Sequence, residues 1–176
     1  MEKILITPLI GMGDTLMTTP ALRLLKTAHP DWHVTYFTIG KSNYDLLLGN
    51  PYIDSLVYFP LKTAGIIKGP RYLFHHCFRK FSTSLTFYPA NRNSYNLFAL
   101  LSGAPQRIGH TYLHYNISQL NWLKNSTIIE DPLLHCVEEN VKLLTLFDIT
   151  CKPGTIPGMD LFLSEKERGL HGGHGR

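Results

Sequence analysis

Acid is what this chain lacks most visibly: no Asp or Glu occurs between Asp54 and Glu130. The same interval holds Lys62, Lys68, Arg71, Arg79, Lys80, Arg92, Arg107 and Lys124, plus four histidines. One sign of charge over so long a stretch creates a positive surface potential, and such a surface attracts anions. Nucleic acid, an anionic membrane surface and a phosphorylated substrate are the candidate ligands; a solvated basic face with no ligand is the plain alternative. No recognised nucleic-acid-binding motif accompanies the charge, which argues against nucleic acid. No run of ~20 apolar residues exists, so nothing in the sequence reads as a membrane span. Cysteine is sparse: Cys77, Cys136 and Cys151 are odd in number and form no CxxC, which fits a reducing compartment better than a disulfide scaffold. The apolar start, Ile4 to Ile10, is short, carries Pro8 and has no small-residue cleavage site, so it is no secretory signal. These absences predict a cytoplasmic protein. His75, His76, His110 and His114 lack metal-ligand spacing, and the His171/His174 tail reads as a chain end, so no metal site is expected.

What is present suits one core. The chain has 176 residues, 44% of them hydrophobic, enough for one good core and not comfortably for two. Ile4–Leu9 reads as a buried strand. Ala21, Leu24, Leu25 and Ala28 then fall at helical spacing, with Thr19 as the expected N-cap and Pro20 in the first turn. Further strands are predicted at His33–Ile39, Ser55–Phe59, Ser84–Tyr88 and Gln106–Gly109. Helices are predicted at Ser42–Leu48, Pro70–Phe81 and Ser94–Leu101. A loop-like aromatic stretch follows. Asp131-Pro132 is expected to start a last helix carrying a Glu138–Lys142 pair at i, i+4. Leu161–Glu165 reads as a strand running into a helix start. The end, from Gly169 to Arg176, holds too much glycine for a helix. Strands alternating with helices predict an α/β fold, a Rossmann-like parallel sheet with helices on both faces.

The chemistry concentrates at the first turn. Lys3-Ile4-Leu5-Ile6-Thr7-Pro8-Leu9-Ile10 runs into Gly11-Met12-Gly13-Asp14, and a helical pattern follows. In doubly wound sheets ligands bind beyond the carboxyl ends of the strands, where this loop belongs. Leu16 stands where a GxGxxG fingerprint needs its third glycine, and the Gly-Lys-Ser/Thr ending of a Walker loop is absent. Asp14 has two readings: a helix N-cap accepting backbone N–H groups, or a general base that removes a proton from a hydroxyl nucleophile.

The run Gly11-Met12-Gly13-Asp14-Thr15-Leu16-Met17-Thr18-Thr19-Pro20-Ala21-Leu22-Arg23-Leu24-Leu25-Lys26 resembles the start of the bacterial heptosyltransferases, glycosyltransferase family 9. Asn50-Pro51-Tyr52-Ile53-Asp54, Arg107-Ile108-Gly109 and His135-Cys136-Val137-Glu138-Glu139-Asn140-Val141-Lys142-Leu143-Leu144 extend the likeness in the family's order. The resemblance implies the N-terminal half of a GT-B glycosyltransferase, two Rossmann-like domains facing across a cleft. It implies residues 3–163 as the acceptor-binding domain and 164–176 as a Gly/His-rich tail, with the donor domain missing. Function then follows the family: inverting sugar transfer in lipopolysaccharide core biosynthesis, from a nucleotide-sugar such as ADP-heptose to an anionic glycolipid acceptor. The reaction needs no metal or cofactor. The site is the cytoplasmic face of the inner membrane, with peripheral contact to it.

On the same resemblance Asp14 is the catalytic base, with Gly13 and Thr15 beside it on the substrate. Lys62, Lys68 and Arg71 follow the third strand and are the expected contacts to the acceptor's carboxylates and phosphates. Arg107 and His135 fall where the family places polar contacts. Without a donor site catalysis by proximity fails, so the chain alone is expected to be inactive. A non-catalytic domain that binds an anionic glycolipid or a partner protein is the alternative.

Overall fold

The computed structural model describes residues 1–9, 11–59, 77–89, 93–112, 118–152 and 154–162. Lys62, Lys68, Arg71, most of the helix expected over 70–81, and the 164–176 tail lie outside them. The described strands are β1 (Lys3–Ile6), β2 (His33–Thr38), β3 (Ser55–Tyr58), β4 (Thr83–Leu85), β5 (Gln106–Thr111) and β6 (Ser126–Ile129). The described α-helices are α1 (Met12–Leu16), α2 (Thr19–Ala28), α3 (Lys41–Leu47), α4 (Asn93–Leu101) and α5 (Cys136–Lys142). The strands form one sheet in the order β3-β2-β1-β4-β5-β6, and every pairing is parallel.

The central strand explains the apolar opening run. Ile4 and Ile6 face a core with Leu22 and Leu25 of α2 and Val141 of α5, while Leu5 faces the other way, towards Phe37 and Phe98 of α4. Both sheet faces are therefore covered, so β1 has no polar alternation. Its ladder ends at Ile6, earlier than the pattern predicts, although Thr7 still donates to the Leu85 carbonyl at 2.9 Å. Pro8 has no N–H to extend the pairing. At the opposite, amino end of the sheet, Lys26 Nζ lies 2.8 Å from Asp54 Oδ2, which also accepts the Val34 N–H at 2.7 Å. Burial raises the Asp54 carboxyl, but those donors outweigh it and hold it below the usual carboxylate range.

Several local expectations shift. The N-cap of α2 is Thr18, not Thr19; Thr19 Oγ1 instead donates to the Leu16 carbonyl at 2.8 Å and accepts the Asp160 amide. The last helix starts at Cys136 rather than at Asp131-Pro132. His135 caps it: its Nδ1 accepts the Val137 N–H, and Glu138 Oε2 accepts the His135 N–H at 2.9 Å. That reciprocal box uses up Glu138. Lys142 therefore pairs with Glu139 at 3.2 Å, and the expected Glu138–Lys142 pair is not formed. β6 arises in the stretch read as loop, because Thr127 and Ile128 pair with Gly109 and His110 of β5. Leu161 and Phe162 lie in no strand; Phe162 meets Tyr52 edge-on at 6.2 Å.

Candidate functional site

The strand order reverses between β1 and β4. β1 connects to β2 on one side, while β4 continues outward to β5 and β6 on the other. The crevice beyond the carboxyl ends of β1 and β4 is thus the switch point where such sheets take ligands. Two segments reach it: the β1–α1 loop with Asp14, and the Thr86–Pro89 segment after β4, whose Tyr88–Pro89 peptide is cis.

The loop is fastened from beneath. Asn43 of α3 is buried; its Nδ2 donates to the Leu9 carbonyl at 2.8 Å and to Thr15 Oγ1 at 2.9 Å. Thr15 Oγ1 in turn donates to the Gly11 carbonyl at 2.9 Å. Thr15 is fully buried, so its hydroxyl positions the loop and does not face a ligand. This corrects its expected place on the substrate: the helical turn aims it opposite to an exposed neighbour, Gly13. A Cβ on Gly13 would meet nothing within 4 Å, leaving open approach to the backbone there.

Asp14 is the third residue of α1, and Gly11 occupies the N-cap with no side-chain cap. The capping reading of Asp14 is therefore wrong for this fold. Its carboxylate is half-buried and lies over Gly11, where an added Cβ would come within 2.5 Å of Oδ2. Gly11 makes room for the carboxylate, a steric need rather than one of backbone twist, since its φ is −77°. Among the described residues none hydrogen-bonds to Asp14 or forms an ion pair with it. Burial pushes the Cys136 thiol pKa up, and the Asp14 charge pushes it further, which puts the start of α5 within electrostatic reach of the carboxylate.

Behind α5's first turn two polar side chains are buried. Asn140 Oδ1 accepts the Tyr88 N–H at 2.7 Å; its Nδ2 donates to Met17 O at 3.2 Å and Tyr88 O at 3.3 Å. One side chain thus ties the segment after β4 to the end of α1. Glu139 Oε2 lies 2.8 Å from His110 Nε2, both fully buried, and Oε1 accepts the Asp131 N–H at 3.0 Å. Burial alone would raise the Glu139 carboxyl; His110, the Asp131 amide and Lys142 together hold it below its usual value. Burial pushes the Tyr88 phenol up to about 12, with Glu130 adding to the shift. Lys124 is also buried, its Nζ on the His110 carbonyl at 2.7 Å and Asn121 Oδ1 at 2.9 Å, and burial lowers it to about 8.

The expected contacts separate. His135 is exposed at the start of α5; with Nδ1 accepting, the ring proton sits on Nε2 and points away from the cap. Arg107 lies near the amino end of β5, paired with Ser84, its guanidinium on the carbonyls of Leu123 at 2.7 Å and Ala104 at 3.0 Å. Four residues of strand, ~13 Å, separate it from the carboxyl end at Thr111. Arg107 is thus a brace at the wrong edge for the Asp14 crevice, because a parallel strand presents only one end to a ligand. Sequence reasoning missed Asn43, Glu139 and Asn140. A polar residue in a helical run reads as surface; for Glu139 and Asn140 the nearest signal was their place in the His135–Leu144 run shared with the family, and for Asn43 the sequence offered none.

The sequence matches no protein-family model and no curated protein. The fold does match solved structures. A glycosyl transferase family 9 structure from Veillonella parvula superposes with a TM-score of 0.73 at 20% identity, covering 96% of this chain and 47% of that one. Escherichia coli ADP-heptose lipopolysaccharide heptosyltransferase II gives 0.69 at 21% identity, covering 97% and 49%. The E. coli heptosyltransferase WaaC, solved with ADP, gives 0.71 at 14% identity, covering 88% and 50%. The chain spans about half the length of these proteins and has the Rossmann-like fold of their GT-B architecture.

Proposed function

We propose that this chain is the acceptor-side, N-terminal half of a heptosyltransferase-like glycosyltransferase, with Asp14 as its general base. The observation that carries the reading is the Asp14 carboxylate: half-exposed, unpaired among the described residues, and held at the switch point of a heptosyltransferase-like sheet. A carboxylate without a competing partner keeps its acceptor sites open to a substrate hydroxyl.

The chemistry balances as one displacement. Asp14 takes the proton of an acceptor hydroxyl, and that oxygen attacks the anomeric carbon of a nucleotide-sugar such as ADP-heptose. The C–O bond to the diphosphate breaks, the nucleotide leaves with the electron pair, and the anomeric centre inverts. No metal is assigned a role. The acceptor is an anionic glycolipid of the lipopolysaccharide core. Lys62, Lys68 and Arg71 lie in the acid-free interval and offer its charged groups their counterions. His135 offers an Nε2–H at the start of α5. The reaction is one of a larger molecule carrying the donor site, at the cytoplasmic face of the membrane, and this segment alone transfers no sugar.

The test follows the carboxyl carbon of Asp14 by NMR, assigned through Asp14→Asn, while a deglycosylated core acceptor is added to the chain. The resonance should move, and Asp14→Asn should bind the acceptor within about twofold of the parent, since the base acts on the transition state and not on affinity. Binding that leaves the resonance unmoved would make the chain a glycolipid-binding module without a base. Sugar transfer from ADP-heptose by the chain alone would refute its inactivity.

A further inference from the structure

The Asp14 crevice has a second carboxylate on its rim. Glu130 follows β6, and its N–H donates to the Thr111 carbonyl at 3.1 Å, so it stands at the carboxyl end of the sheet. Its half-buried side chain accepts a hydrogen bond from the Tyr88 phenol, which arrives from the segment after β4. Tyr88 is half-buried too, stacked on Tyr112 at 6.1 Å and edge-on to His110 at 5.6 Å. The Cys136 thiol lies within electrostatic reach of both the Tyr88 phenol and the Asp14 carboxylate. The rim therefore runs Asp14, Cys136, Tyr88, Glu130.

Charge on this rim has the opposite sign to that of the acid-free interval. Asp14 and Glu130 are carboxylates, and Asp131, Glu138 and Glu139 follow Glu130 in sequence. The lysines behind the rim are committed. Lys142 Nζ lies on Glu139 at 3.2 Å and on the Ile129 carbonyl at 3.0 Å, and Lys124 Nζ lies on the His110 carbonyl and Asn121. A carboxylate or phosphate placed here would meet two like charges and, among the described residues, no open cation. A neutral ring bearing hydroxyls meets suitable partners. The Glu130 carboxylate accepts O–H donors, and the Tyr88 oxygen, donating to Glu130, keeps a lone pair for another.

We infer that Tyr88 and Glu130 form a hydroxyl-reading subsite that selects an uncharged sugar ring for the position facing Asp14, which rests on the crevice being the acceptor site proposed above. The ring that reacts is a neutral polyol, and the acceptor's carboxylates and phosphates lie outside the rim. The pair attracts, because neighbouring ring hydroxyls bond Glu130 and Tyr88 together. It also repels, because an acidic sugar would set a third negative charge beside Asp14 and Glu130. Selectivity of this kind combines an attractive and a repulsive element.

The experiment titrates the full chain with two probes, the methyl glycoside of a neutral aldoheptose and that of an acidic 3-deoxyulosonic sugar. NMR follows the carboxyl carbons of Asp14 and Glu130, assigned through Asp14→Asn and Glu130→Gln. The neutral glycoside should move both resonances and bind about tenfold more tightly than the acidic one. Tyr88→Phe, which removes only the hydroxyl, should weaken the neutral glycoside about fivefold. Glu130→Gln keeps an acceptor for Tyr88 and removes one of the two like charges, so the preference should fall to about threefold. Equal binding of the two glycosides by the parent chain would overturn the inference. So would a preference that Glu130→Gln retains in full while keeping the parent's circular dichroism. Movement of the Asp14 resonance without that of Glu130 would overturn the subsite and leave Asp14 standing as the base. Silence of both resonances under both glycosides would overturn the acceptor site and the subsite with it.

Discussion

Replacing Asn140 by Ala tests the link between α5 and the Asp14 crevice. The side chain is fully buried and makes three hydrogen bonds to backbone groups far away in sequence. The 2.7 Å bond from the Tyr88 N–H is the strong one, worth about 1 kcal/mol net; the two longer bonds contribute less. Truncation also leaves the Tyr88 N–H without its acceptor and opens a small void behind α1. With those penalties the loss comes to about 3 kcal/mol. In a chain of this length that lowers the melting temperature by about 6–12 °C. The assay is thermal unfolding followed by circular dichroism, paired with hydrogen exchange of the α1 amides, which should quicken more than those of β2. Asn140→Asp should not rescue the loss. It keeps an acceptor for the Tyr88 amide but turns a donor into a charge aimed at two carbonyls. A drop below about 1 °C for Asn140→Ala, or exchange that quickens equally everywhere, would refute the claim that this residue holds the loop.

Gly11→Ala should cost about 0.5–1 kcal/mol, because φ of −77° suits alanine but glycine is much the better N-cap. It should also push the Asp14 carboxylate aside, since the new methyl would lie 2.5 Å from Oδ2; the check is loss of the Asp14 resonance shift on acceptor addition in a variant that still melts within about 4 °C of the parent. Glu139→Gln should destabilise the chain at neutral pH and flatten its acid sensitivity. A carboxyl held below its usual value stabilises the fold above about pH 4.3, and that contribution disappears as pH falls through the lowered value. Urea midpoints measured from neutral to acid pH would decide it, and parallel curves for parent and variant would contradict the pairing with His110.

Much of the frame was legible along the chain. β1 and β2 stand out because strands buried on both faces keep apolar, β-branched or aromatic runs. β3, half-buried at the edge, the short β4, and β5 with its mixed polar residues were found in place but with shifted ends, β4 running Thr83–Leu85 rather than Ser84–Tyr88. β6 was not legible. Ser126–Ile129 is a four-residue edge strand whose state is decided by the free edge of β5 rather than by its own pattern. The start of α5 was misplaced because Asp131-Pro132 imitates a helix start. The working cap is a histidine, outside the residue types usually found there. In the site, Asp14 was legible from the glycine turn that precedes it. Thr15 was misassigned because adjacent residues in a helical turn point in different directions.

By itself the sequence determined the alternation of strand and helix, the parallel α/β class, and the carboxylate at the mouth of the first turn. Each of these depends on local spacing, on side-chain polarity and on what glycine and proline permit the backbone. Only the tertiary structure decided that β4 lies beside β1, which places a switch point at Asp14. It alone set Arg107 at the far edge and buried Glu139 and Asn140. Those outcomes depend on which surfaces meet, and contacts between residues fifty or more positions apart leave no periodic trace in the chain.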